Sequence, residues 1–157
     1  FRAVFERAAV GVGRVAFDTA RWLEVNDALC QMLGYTRAEL LATPWPTITH
    51  PDDVDVDLAQ FRRMAAGELE TYTVEKRFLH KAGHPVWARL TLSLVRDAAG
   101  RPDYEIAVID DVSARRAAEA EVRRLAEGLE RLVAERTQEL RAVNADLEAF
   151  TYSVSHD

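Results

Sequence analysis

Every proline of the chain and all but one of its glycines lie before Ser113; from Ser113 to Asp157 the sole helix-weakening residue of either type is Gly128. Proline removes a main-chain donor, and glycine costs about 1 kcal/mol in a helix interior. A stretch nearly free of both can run as one helix, whereas a stretch punctuated by both cannot. The chain therefore divides near Ser113 into a region of short elements and one long helix. Its 157 residues, 48% apolar, suffice for one ordinary domain with a core plus an appendage.

In the first region, Phe1 to Ala9 has the spacing of a short amphipathic helix, and Gly11 to Phe17 and Trp22 to Val25 read as strands joined by an Asp18-Thr19-Ala20 turn. Asn26 is placed to cap a helix over Asp27 to Leu33 that Gly34 ends, and Thr36-Arg37-Ala38-Glu39 has the capping-box pattern for another turn or two. Pro44, Pro46 and Pro51 forbid regular structure until Asp52 and Asp53, whose carboxylates suit the positive end of a helix reaching about Ala66 and closed by Gly67. Three strands follow in hairpin order. They are Thr71 to His80; Val86 to Arg96, with Val86, Ala88, Leu90, Leu92 and Leu94 on one face; and Tyr104 to Asp110, with Tyr104, Ile106 and Val108 on one face. The expected fold class is α+β, followed by a long helix.

Twenty basic against 26 acidic side chains leave a net charge of -6 and no Lys/Arg-rich stripe, which argues against a nucleic-acid surface. Cys30, the single cysteine, cannot form a disulfide framework and fits a reducing compartment. No apolar run reaches the roughly 18 residues of a spanning helix, and no signal peptide is expected before Phe1. The expectation is a cytoplasmic segment without membrane contact, whose parent could be anchored upstream.

After Ser113, which is placed to cap the long helix, apolar residues fall at Val122, Leu125, Leu129 and Leu132, then at Leu140, Val143, Leu147, Phe150 and Val154. Threes and fours alternate up to Leu132, but Leu132, Arg136 and Leu140 take two fours in a row. Such a stutter unwinds a supercoil locally, here near Arg136. A helix of about 43 residues, roughly 65 Å long at 1.5 Å per residue, cannot bury this stripe alone, so a parallel homodimer is expected. Gly128 either loosens the helix further or is incidental.

Four phrases in the first region resemble the PAS family: Val25-Asn26-Asp27-Ala28 through Met32-Leu33-Gly34-Tyr35; Thr49-His50-Pro51-Asp52-Asp53; Glu75-Lys76-Arg77-Phe78 before Gly83 and Trp87; and Asp110-Asp111-Val112-Ser113. The resemblance implies a five-stranded antiparallel sheet with helices packed on one face around a small interior cavity. It leaves the ligand unknown. Cys30 is not in the motif of the superfamily's flavin-binding light sensors, His50, His80 and His84 are haem ligands in principle only, and Trp22, Trp45 and Trp87 read as core or rim aromatics. No cofactor is predicted for this segment. In the family the Asp-hydrophobic-Thr/Ser phrase couples sheet to helix, which gives Asp111 and Ser113 a signal-coupling role, the acid bonding near the junction and the hydroxyl capping. The alternative is helix capping alone.

Two phrases in the helix carry a second resemblance. Glu135-Arg136-Thr137, at the stutter, resembles the short signature of signalling helices that link sensor to output modules and implies two nearly equal registers; otherwise Arg136 is a charged residue on an imperfect seam. Phe150-Thr151-Tyr152-Ser153-Val154-Ser155-His156-Asp157 resembles the phosphoacceptor box of sensor histidine kinases, whose pattern continues with Leu-Arg-x-Pro-Leu after the point where this sequence stops. With Val122 at heptad position a, Val154 returns to a and His156 takes the solvent-facing position c. By resemblance, His156 accepts the phosphoryl group and Asp157 is the acidic helper that holds the other ring proton. A protease triad of Ser155, His156 and Asp157 fails, because adjacent helical residues do not face one another.

The resulting division is residues 1–113 as a PAS sensor domain, 114–149 as a signalling-helix coiled coil, and 150–157 as the truncated start of a phosphoacceptor domain. The resemblance implies that Mg-ATP belongs to a catalytic domain outside these residues and that a response regulator is the partner of the intact protein. The other reading is a non-enzymatic PAS dimerisation or scaffold module whose C-terminal helix only pairs.

Overall fold

A computed structural model of the chain describes Arg2–His156, and the chain forms two compact units, Phe1–Ala114 and Arg115–Asp157. The first is built on strands β1 (Gly11–Ala16), β2 (Trp22–Val25), β3 (Thr71–Leu79), β4 (Pro85–Arg96) and β5 (Pro102–Asp111). Their order is β2-β1-β5-β4-β3, with every neighbouring pair antiparallel. Helices α1 (Arg2–Arg7), α2 (Asp27–Leu33), α3 (Arg37–Ala42) and α4 (Pro51–Ala65) accompany the sheet. The α+β class and the element order are those the sequence pattern predicts.

Local signals are realised as hydrogen bonds. Asn26 caps α2 by accepting from the Leu29 N–H, and its side chain also accepts from the Val12 N–H and donates to the Phe5 and Val10 carbonyls. All four of its hydrogen-bonding capacities are used at a fully buried site, which pins α1, β1 and α2 together. The capping box at Thr36 and Glu39 forms in both directions. Gly34 ends α2 at φ +76°, and a Cβ there would lie 2.3 Å from the His80 ring, so both backbone and space require glycine.

One feature departs from the sequence reading, and a second is left open by it. The proline-rich stretch is not wholly irregular: Trp45–Ile48 form a 3₁₀ turn, and Pro51 opens α4, where a first-turn residue needs no N–H. On β5, the face of Tyr104, Ile106 and Val108 points away from the core, and Glu105, Ala107 and Ile109 are the buried set. Register decides this: Ile109 pairs with Gly11 on one side and Leu90 on the other, both buried, so its parity is inherited.

Helix α5 (Ser113–His156) runs unbroken through Gly128 and Arg136, and none of its described residues is buried. The predicted stripe residues are each at least half exposed, and so is Val133, which continues the stripe between Leu132 and Arg136.

Candidate functional site

Two phrases singled out in the sequence meet across α4 and β3. Asp53 accepts from the Arg77 main-chain N–H at 2.8 Å and from its guanidinium at 2.9 and 2.8 Å, and the His50 N–H donates to the Arg77 carbonyl. These guanidinium bonds hold the Asp53 carboxyl below the usual carboxylate range. His50 itself caps α4, its Nδ1 accepting from the Asp52 N–H.

One residue along, Lys76 turns into the core. Its ammonium donates to Asp57 and to Thr49 Oγ1, and lies 4.6 Å and 4.4 Å from the ring centroids of Trp45 and Phe78. Tyr72 donates its hydroxyl to the other Asp57 oxygen at 2.8 Å. Lys76 and Asp57 are both 2% exposed or less. Burial lowers the Lys76 pKa while the Asp57 charge opposes the shift, and burial raises the Tyr72 hydroxyl, with Asp57 adding to it.

Beside this pair lies a cavity of about 20 Å³, lined by Trp22, Trp45, Asp57, Tyr72 and Lys76 among others, which is room for about one water. The indole N–H of Trp22 and Oε1 of Glu105 are buried without a protein partner. Desolvation, with the Asp57 charge second, pushes Glu105 up to about 7.

Thr49, Asp57, Tyr72, Lys76 and Glu105 were not singled out as functional by sequence reasoning. The available signal was parity: Lys76 shares a strand face with Tyr72 and Phe78, and Glu105 shares one with Ala107 and Ile109, so each is a charge on an apolar face.

At the end of β5 the acid bonds at the junction, while the hydroxyl takes a partner on β4. Ser113 is the first residue of α5, so it does not cap the helix from outside. Its hydroxyl accepts from the Trp87 N–H at 3.2 Å, while the Asp111 carboxylate accepts from the Ser113 N–H at 2.9 Å. The buried Val112 donates its N–H to the Trp87 carbonyl. The acid thus satisfies a helix-start donor, and the hydroxyl fastens the junction to β4.

In the second unit, Glu135, Arg136 and Thr137 are exposed, and Arg136 pairs with Glu139 at 3.2 Å. His156 is exposed in the last turn; its ring stacks on Tyr152 with centroids 4.0 Å apart, and its Nδ1 lies 2.9 Å from the Tyr152 carbonyl oxygen. Asp157 lies outside the described residues. Among the described residues, no group of three or more His, Cys, Asp or Glu is placed to hold a metal ion, and no helix is long and apolar enough to cross a membrane.

Comparison with known families matches residues 23–109 to the PAS fold. The chain belongs to the PAS fold family. Among curated relatives, the probable diguanylate cyclase DgcE of Escherichia coli (strain K12) is 42% identical over 113 residues, which cover 72% of this chain and 10% of that protein. The sensor histidine kinase TmoS of Ectopseudomonas mendocina is 28% identical over 130 residues, covering 82% and 13%. The chain therefore spans about a tenth of the length of these relatives. A solved sensory box histidine kinase/response regulator from Burkholderia thailandensis E264 is similar with a TM-score of 0.64 and 25% identity, covering 83% of this chain and 98% of that one. The PAS unit is thus of the sensory kind found in signalling proteins, with relatives among both histidine kinases and diguanylate cyclases.

Proposed function

We propose that the chain is the sensory and transmission region of a two-component sensor histidine kinase. The PAS unit receives the signal, and α5 pairs as a parallel homodimer through the Val122 to Val154 stripe. His156 accepts the γ-phosphoryl of Mg-ATP held on a catalytic domain outside these residues, assisted by Asp157, and a response-regulator aspartate then receives it. Asp111 and Ser113 couple β5 to α5, and Glu135-Arg136-Thr137 mark the register change along it. The observation that supports this reading best is His156 itself, exposed on an unbroken helix, with Nδ1 engaged and Nε2 left for attack. Similarity to a sensor histidine kinase over 82% of the chain adds to it.

Incubating the complete gene product with γ-labelled Mg-ATP tests the proposal. Acid-labile label that disappears in His156→Gln is the expected result; label retained in that variant overturns the assignment.

A second reading has an observation of its own, the 42% identity to a probable diguanylate cyclase. In that reading α5 pairs two cyclase domains and His156 is a solvated surface residue. Cyclic dinucleotide formed from GTP by the same preparation, without labelled histidine, would favour it.

A further inference from the structure

Tyr152 and His156 are one turn apart on α5, the spacing at which helical side chains meet. Their rings are nearly parallel, 19° between planes. A carbonyl oxygen only accepts, so the 2.9 Å contact with the Tyr152 carbonyl requires hydrogen on His156 Nδ1. In the neutral ring Nε2 then carries the free lone pair. Two of the chain's other described histidines supply a contrast. His50 Nδ1 accepts from the Asp52 N–H, and His80 Nδ1 accepts from the Ala82 N–H, which places the hydrogen of each neutral ring on Nε2.

We propose that Tyr152 is a positioning residue for His156, its ring and main-chain carbonyl together holding the imidazole as the Nδ1–H tautomer with Nε2 presented outward. This rests on the phosphoacceptor reading. In the transfer, the Nε2 lone pair forms a bond to the γ-phosphorus of ATP, the bond to the β,γ-bridging oxygen breaks, and ADP leaves with that electron pair. The ring becomes a cation that keeps its Nδ1 hydrogen, and the Tyr152 carbonyl already accepts from that N–H, taking the proton-holding role that the resemblance implies for Asp157 and leaving that residue to assist by its charge. Without the stack, the exposed imidazole is free to rotate and offers either nitrogen.

Long-range ¹H–¹⁵N spectra of the 157-residue chain labelled at histidine, with His156 assigned by its loss in His156→Gln, test the proposal. Above the titration range His156 is expected as Nδ1–H while His50 and His80 are Nε2–H. Tyr152→Phe retains the pattern, and Tyr152→Leu moves His156 to Nε2–H. A wild-type His156 in the Nε2–H form, or a Tyr152→Leu variant that keeps Nδ1–H, overturns the proposal.

In the complete gene product, Tyr152→Leu should slow labelling of His156 about tenfold and Tyr152→Phe should restore most of it, as for a lost orientation effect. Labelling at the wild-type rate in Tyr152→Leu also overturns the proposal. Absence of label on wild-type His156 with the tautomer pattern intact instead removes the phosphoryl-transfer reading and leaves the ring's orientation by Tyr152 standing.

Discussion

Lys76, Asp57 and Glu105 sit in the PAS unit among buried aromatic and aliphatic side chains, each 2% exposed or less. From Arg115 to His156 the position is reversed: no residue is buried, and leucines and valines face solvent alongside ion pairs such as Arg124–Glu121. The PAS unit contains both partners of its buried Lys76–Asp57 pair, so that interaction is satisfied internally. The helix leaves its apolar stripe exposed on the single chain, and under the proposed pairing that stripe is half of an interface. Charges inside the first unit are therefore high in consequence, whereas charges on the helix act through solvent and contribute little individually.

The largest expected effect lies in the buried pair. Lys76→Met leaves the Asp57 carboxylate enclosed and without its cation, which should cost the PAS unit about 3–5 kcal/mol, and adding Asp57→Leu should recover most of it. All three tryptophans, Trp22, Trp45 and Trp87, lie in this unit, so urea unfolding followed by tryptophan fluorescence reports it separately from the helix. A double variant as unstable as the single one would break the contrast, because the pair would then be contributing more than mutual neutralisation.

Glu105 sharpens the same contrast through pH. Its folded pKa is about 7 against an ordinary 4.5, so between those values the native state holds a proton that the unfolded chain has released. Stability of the PAS unit should fall as pH rises through that window, by up to about 3 kcal/mol. Glu105→Gln should remove this contribution, measured as the wild-type minus variant difference at pH 5 and pH 8. An equal difference at both pH values would show that Glu105 is not protonated in the native state.

A smaller effect is expected in the helix. Leu140→Asp places a charge in the stripe and should weaken pairing by about 2 kcal/mol, roughly thirtyfold in the association constant, read by sedimentation. Tryptophan-detected unfolding of the PAS unit should not change. A wild-type chain that stays monomeric at every concentration would refute the pairing outright.

Much of the fold was legible because its signals are local. Asn26, Gly34, Thr36 and Glu39 act on main-chain groups within a few residues, and the alternation of Val86, Ala88, Leu90 and Leu92 names a strand face without knowledge of its neighbours. The core network was not legible, because Lys76 and Asp57 are 19 residues apart and meet only after α4 lies against β3. Glu105 was hidden by an apolar face of opposite parity on its own strand. At the helix end the heptad places His156 off the apolar stripe, but it does not give the 2.9 Å contact between His156 Nδ1 and the Tyr152 carbonyl oxygen.

The sequence by itself determined where elements start and stop, that a punctuated α+β unit precedes one uninterrupted helix, and that the helix bears an apolar stripe. These follow from φ preferences, caps and periodicity, whose range is a turn or a strand. The tertiary structure alone decided which face of β5 turns inward, that Asp53 and Arg77 join the two family phrases, that the Ser113 hydroxyl binds β4 instead of capping α5, and that Lys76 finds an acid in the core. Each depends on strand register or helix docking, and those are set by the simultaneous burial of residues distant in the chain.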